Sequence, residues 1–296
     1  MCSSALVLKC SSVNMPKIGA HVSAAGGLYN CFDNAKRIGA ECLQIFGASP
    51  KQWQAPLPSA EVIKEYKKRE EASKLGPVFL HALYLANIGT IDNNRLWHGS
   101  VRALTDHLKI ADLLGAQGLI FHIGSVKNSG NRERGIEQVA KGMKKILSAV
   151  PGKTQLIMEN AAGGGGKLGA TADEVGAIMK LVRDPRAKVC IDTQHAFAAG
   201  VLNYTPAGIA LFVKQCDQAF GWKNVVAVHA NDSKGEAGSN FDRHENIGEG
   251  KIGLAGFQNL VKNKNFAKLP WILEVPGFAD EGPDKKNVEI LKKIVG

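Results

Sequence analysis

Short apolar runs recur along the chain from Lys17 onward. Between them lie longer stretches in which apolar residues return every three or four positions. The runs are KIGA (17–20), ECLQIF (41–46), PVFLH (77–81), GLIFH (118–122), TQLIME (154–159), AKVCID (187–192), NVVAVH (224–229) and PWILE (270–274). Near-continuous apolar strands separated by helices belong to a parallel sheet covered on both faces. The helical period is visible over 60–74, 99–114, 132–149, 172–182, 206–219 and 284–294. Eight strand–helix units in one chain predict a single-domain α/β fold, the (β/α)8 TIM barrel. No internal repeat and no linker interrupts the pattern.

The runs end unusually. In WILEV, three large apolar residues lead straight into Glu274, and a carboxylate left unpaired at the end of a buried strand is costly. The same happens at LIMEN (Glu159) and VCID (Asp192), while VFLH, LIFH and VVAVH end in His81, His122 and His229. In a TIM barrel the working site lies at the carboxyl ends of the strands, so these six residues are expected on one rim. Taken singly, each also fits a place where a strand meets water; six in succession do not.

Three further candidates lie in expected loops. His195 follows Asp192 by three residues in CIDTQHAFAAG, and Asp242 and His244 form an Asp-x-His pair in SNFDRHENIGEG. Residues two apart in an extended segment point the same way, and long Gly-rich loops of this kind are usually functional or disordered. Mixed imidazole and carboxylate donors suit Zn2+, Mn2+ or Fe2+ and argue against Mg2+. The set exceeds what one tetrahedral ion needs and, with a bridging carboxylate, would hold two or three ions. His98 and His107 fall in a helical stretch and read as surface or packing residues. His21, ending the first run in GAHVSAAGG, suits lining the site or a structural role equally.

Composition narrows the chemistry. The chain has 296 residues, 45% of them hydrophobic, with a formal net charge of +10, which favours an anionic partner such as nucleic acid. Its basic clusters, YKKRE, KGMKK and DKKN, look like solvated helix faces. Six cysteines without a C-x-x-C pair read as reduced thiols of a cytoplasmic protein. No apolar run approaches the ~20 residues a membrane span needs, and the apolar stretch near the start is too short for a signal peptide. Residues 1–15 are expected to form a disordered extension, with a start at Met15 as the alternative, and 16–296 the barrel domain. Clustered divalent cations suit phosphodiester hydrolysis, because they activate water and stabilise the leaving alkoxide. A basic protein with such a rim therefore reads as a nucleic-acid phosphodiesterase. Sugar isomerases use similar rims but have no use for His81, His122 and the Asp-x-His loop together. A barrel that binds DNA with purely structural metals would not need the complete set.

Several stretches, in order, resemble the endonuclease IV family of abasic-site DNA repair endonucleases. They are GAHVSAAGG (19–27), HALYLAN (81–87), FHIGS (121–125), MENAAGGG (158–165), CIDTQHAFAAG (190–200), HANDSK (229–234), DRHENIGEGKIG (242–253) and ILEVPG (272–277), spanning the chain from about Met15 onward. The resemblance implies a barrel with three Zn2+ ions, Mn2+ or Fe2+ being alternatives at some sites. It implies cleavage of double-stranded DNA 5′ to an abasic sugar, leaving a 3′-hydroxyl and a 5′-deoxyribose phosphate, with related 3′-phosphodiesterase activity. His81, His122 and Glu159 match the ligands of one ion; Glu159, Asp192, His229 and Glu274 those of a second; His195, Asp242 and His244 those of a third. Glu159 matches the bridging residue that helps to position the attacking hydroxide. Tyr84 matches a wedge inserted where the abasic nucleotide is flipped out. Gln52 and Trp53 match the DNA-contacting SPKQW segment, where Lys51 replaces the family's arginine and so lacks the planar fork that stacks on bases. Gln194 stands where many relatives carry cysteine. A monomer is expected.

Overall fold

The computed structural model describes residues 15–127 and 130–296. Except for Met15, the extension expected over residues 1–15 lies outside the described residues, as do Cys2 and Cys10. Among the described residues ten strands are formed: β1 (Ile18–His21), β2 (Leu43–Phe46), β3 (Val78–His81), β4 (Gly118–His122), β5 (Gln155–Glu159), β6 (Ala187–Asp192), β7 (Val225–His229), β8 (Asp232–Ser233), β9 (His244–Glu245) and β10 (Trp271–Leu273). Eight of them close into a parallel barrel in the order β1-β10-β7-β6-β5-β4-β3-β2, while β8 and β9 pair antiparallel above it. The eight-stranded TIM barrel read from the sequence is the fold. Its strands begin a residue or two inside several of the expected runs, and the last stops at Leu273, one residue short of Glu274.

The outer layer comprises α1 (Cys31–Arg37), α2 (Ala60–Ser73), α3 (Asn94–Leu114), α4 (Arg132–Ala149), α5 (Ala172–Val182), α6 (Thr193–Ala198), α7 (Pro206–Phe220), α8 (Gly253–Lys262) and α9 (Lys285–Val295). Local chemistry sets their starts. The side chains of Ser59, Asn93, Asn131, Thr171, Thr205 and Asp284 each accept a hydrogen bond from an amide in the first turn, a cap contributing about 1 kcal/mol. The Asn93 cap carries α3 back to Asn94, five residues ahead of the expected Gly99. The short α6 departs from the expected pattern. Asp192 caps it through its side chain, so His195 lies on a helix rather than in a loop.

Two apolar layers stabilise the barrel. Cys42, Phe79, Ile120, Ile157, Cys190, Ala227 and Ile272 fill its interior, and residues such as Tyr66, Leu104, Met143 and Phe257 pack between strands and helices. At Gly19 the interior is so tight that any Cβ would collide with the Cys42 carbonyl oxygen and thiol. Cys31, Cys42, Cys190 and Cys216 are buried free thiols, and burial pushes each thiol up, to about 11 for Cys190 and about 12 for the other three. Among the described residues no helix is long and apolar enough to cross a membrane.

Candidate metal centre

The site stands one layer above the barrel interior. Side chains alternate along a strand, so a residue two beyond an inward-facing one also faces inward. Two positions beyond Phe79, Ile120, Ile157, Cys190, Ala227 and Ile272 come His81, His122, Glu159, Asp192, His229 and Glu274. The same step from Gly19 and Cys42 reaches His21 and Gln44. Each barrel strand, or for β10 the residue just past its end, thus contributes one polar side chain to a single layer. Register keeps them level: His122 pairs with Glu159 and Asp192 with His229. The second pairing depends on a shift between Val189 and Cys190, which moves the β7 partner from Val225 to Ala227. Without it Asp192 would face Val228 instead.

Four imidazoles are held so that one ring nitrogen is committed and the other faces the pocket. His81 Nδ1 lies 2.8 Å from the Ala82 carbonyl oxygen, His195 Nδ1 2.8 Å from that of Asn160, and His244 Nδ1 3.1 Å from that of Glu274. A carbonyl oxygen can only accept, so each of these nitrogens carries a proton, and in the neutral ring Nε2 keeps the lone pair. His229 is turned the other way: its Nε2 donates to Gln44 Oε1 at 2.9 Å, freeing Nδ1. Fixing the tautomer through the far nitrogen is how metal-binding histidines are oriented.

The carboxylates crowd against these rings. Glu159 Oε2 lies 3.3 Å from His81 Nε2 and 3.2 Å from His122 Nε2, while its Oε1 lies 3.2 Å from both His229 Nδ1 and His195 Nδ1. One carboxylate therefore offers its two oxygens to two sides of the site. Asn231 donates to Asp192 Oδ2 at 2.7 Å and accepts from the Glu274 amide at 2.8 Å. Gln44 donates to Glu274 Oε1 and to His21 Nδ1. His21 therefore lines the layer, and burial pulls its imidazole down against the opposing pull of Glu274.

Among the described residues, donor atoms fall into three groups, each with members within 4.8 Å of one another: His81, His122 and Glu159; Glu159, Asp192, His229 and Glu274; and Asp192, His195 and His244. Asp242 stands outside the third group, with Oδ1 3.1 Å from His195 Nε2 and Oδ2 2.8 Å from Lys167 Nζ. The donors fit divalent metal ions. Glu159 Oε1 and His229 Nδ1 are buried without a hydrogen-bond partner although they face each other. Two such atoms at one point are costly unless a proton or a metal ion lies between them. Charge balance agrees. Burial pushes Glu159 up, but His229 and His122 outweigh it and hold the carboxyl well below its ordinary range. Burial likewise pulls His195 and His229 down, yet Asp192 for the first, and Cys190, Glu274 and Glu159 for the second, draw them well above theirs. The layer demands positive charge, which protons or metal ions can supply.

Loops complete the site. Asn87 ties the loops after β3 and β4 together, its amide bonding both the Ser125 carbonyl and amide. Gly124, at φ +104°, passes so close that a Cβ would collide with Asn87 Oδ1. Buried Asp232 holds the 246–253 segment: Oδ1 accepts from the Ser233, Ile252 and Gly253 amides and Oδ2 from those of Gly248, Gly250 and Gly253. This cage anchors the β8–β9 pair that presents His244. Gln194 reaches from α6 to the Phe241 carbonyl at 2.8 Å, steadying the chain beside Asp242. Gln44, Asn231 and Asp232 are functional supports that the sequence pattern does not single out. Gln44 alone carries a signal, as a polar residue inside an apolar strand two positions past an inward cysteine.

Above the layer opens a cleft of about 880 Å³ that reaches His81, His122, Glu159, His195, Asp242, His244 and Glu274. Tyr84 stands at its lip, 57% exposed, its amide tied to the Pro50 carbonyl. That bond joins its loop to the one carrying Lys51, Gln52 and Trp53, all exposed. His98 is exposed and His107 buried on α3, consistent with surface and packing roles.

Comparison with known proteins follows the same lines. The xylose isomerase-like TIM barrel family matches residues 32–294. A probable endonuclease 4 from Thermosipho melanesiensis is 37% identical over 285 residues, covering 95% of this chain and 99% of the relative. One from Aquifex aeolicus is 38% identical over 281 residues, covering 95% and 98%. The crystal structure of endonuclease IV from Thermus thermophilus aligns with a TM-score of 0.81 at 33% identity, covering 95% of this chain and 99% of that one. Matched along nearly its whole length in sequence and in fold, the chain belongs to the endonuclease IV family of xylose isomerase-like TIM barrels.

Proposed function

We propose that the protein is a zinc-dependent DNA repair hydrolase that cuts the phosphodiester 5′ to an abasic site, leaving a 3′-hydroxyl and a 5′-deoxyribose phosphate, with associated 3′-phosphodiesterase activity. The observation that carries this reading is the convergence of three donor groups on the floor of one open cleft, two of them sharing Glu159 and two sharing Asp192. In this reading His81, His122 and Glu159 hold one ion, and Glu159, Asp192, His229 and Glu274 a second. His195, Asp242 and His244 hold the third. When bound, such ions lower the pKa of water and offset the charge that builds on phosphate oxygens in flight. Glu159 spans two groups and sets the spacing between them. Gln44 keeps the His229 Nδ1 lone pair facing inward. Lys167 neutralises one oxygen of Asp242, leaving the other toward His195. Tyr84, exposed at the lip and backed by Phe46 at 5.4 Å, fills the gap left by an extruded abasic nucleotide. Lys51, Gln52 and Trp53 contact the duplex beside it.

The test is an incision assay on a duplex carrying one abasic site, with metal analysis of the same sample. Two to three zinc equivalents, products with a 3′-hydroxyl, and loss of cutting after prolonged chelation are expected. A metal-free preparation that cuts equally well, or a zinc-loaded one that does not cut, would overturn the reading.

A further inference from the structure

On the outer side of the Trp53 loop lies a second groove, of about 730 Å³, bounded by that loop and the start of α3. Its floor is apolar: the Trp53 ring, 38% exposed, lies against the helix at Gly99, where a Cβ would sit 3.8 Å from the ring edge. Arg95, His98 and Arg102 rise beside it, three and four residues apart and therefore on one helix face. No acidic side chain lines the groove. Neither Arg95 nor Arg102 has an ion-pair or hydrogen-bond partner among the described residues, although both are exposed. Leu96 borders this groove and also a smaller one of about 280 Å³ that reaches His122, Glu159 and Tyr84. The two adjoin at Leu96 and together make a track away from the candidate metal centre.

We propose that this track binds the sugar–phosphate backbone of the duplex flanking the lesion, Arg95 and Arg102 each engaging a phosphate and Trp53 packing against the sugar between them. The inference rests on the nuclease reading and adds to it the side on which flanking DNA is held. The charge is of the right sign and unpaired. The guanidinium fork matches phosphate oxygens two at a time, and at Leu96 the groove adjoins the smaller one, which shares Tyr84, His122 and Glu159 with the cleft. Two guanidinium groups without carboxylate partners point to backbone rather than base recognition, because every nucleotide offers a phosphate whatever its base.

The test compares wild type, R95A/R102A and K144A/K145A, the last removing the same charge from exposed positions of α4 outside the cleft. Affinity for an abasic duplex is measured between 50 and 200 mM salt, alongside incision. Two lost phosphate contacts lower the slope of log affinity against log salt by about 2. Over that range the wild type should therefore lose about tenfold more affinity than R95A/R102A, whereas K144A/K145A should follow the wild type. Shortening the duplex on one side of the lesion should abolish the difference, and shortening the other side should leave it. Equal slopes in an enzyme that still incises would overturn the track and spare the proposed function, as would a difference indifferent to flank length. Absence of incision by zinc-loaded wild type would remove the nuclease reading and this inference together.

Discussion

Replacing Asp232 by asparagine changes one oxygen to an amide and leaves the side-chain volume almost untouched. In the native protein the two carboxylate oxygens accept six contacts from five backbone amides, the Gly253 amide being shared. Asparagine can keep only one oxygen. If it faces Ser233, Ile252 and Gly253, the new NH2 group confronts the Gly248 and Gly250 donors; if flipped, it confronts Ser233 and Ile252. In either orientation two amides lose their acceptor and meet a donor. Each unsatisfied amide costs about 1–3 kcal/mol, and the surviving bonds lose their charge assistance. The Gly248 and Gly250 side reaches water more readily, so a cost of about 3 kcal/mol is expected, expressed as local opening of 246–253. That corresponds to roughly a hundredfold increase in amide hydrogen exchange over this segment, with exchange in β3 to β5 unchanged. Because β9 is paired to Asp232 itself, His244 should loosen as well, and one bound zinc should be lost before the others. Exchange across 246–253 within about threefold of wild type would refute the assignment of Asp232 as the anchor of this loop.

Three further perturbations probe separate links. Gln44→Leu removes the acceptor that orients His229 and a donor to Glu274; zinc affinity measured by chelator competition should fall about 10–100-fold, and an unchanged affinity in a protein that only melts earlier would mean Gln44 is merely structural. Tyr84→Ala should lower kcat/KM on abasic duplex by about tenfold, equivalent to about 1.4 kcal/mol, while binding to intact duplex stays within about twofold; equal losses on both would contradict a wedge. Burial holds His107, whose ring nitrogens lack partners, down at about 4. Its unfolded form takes up a proton near the ordinary value of about 6.5, so its contribution to stability is complete above that pH and is lost as pH falls toward 4. At pH 5 the loss amounts to about 2 kcal/mol. Denaturant unfolding of His107→Leu should show a correspondingly flatter dependence between pH 7 and 5, and superimposable pH profiles would exclude this account.

The sequence by itself determined the barrel and six of the eight side chains of the rim layer. A parallel barrel strand is apolar on both faces until it reaches its carboxyl end, so an acidic or imidazole side chain there is conspicuous, and Glu159, Asp192, His81, His122, His229 and Glu274 could be read directly. Tertiary structure decided how these residues are grouped. That Asp192 faces His229 depends on the register shift between β6 and β7, a property of strand pairing that neither strand encodes alone. Asp192 turns toward the His195 and His244 group, while Asp242 shares itself with Lys167, because loop closure and not spacing sets those distances. Gln44, Asn231 and Asp232 remained hidden for the same reason. Their importance lies in whom they bond across the barrel or across a loop, and hydrogen-bond partners distant in sequence exist only once the chain has folded.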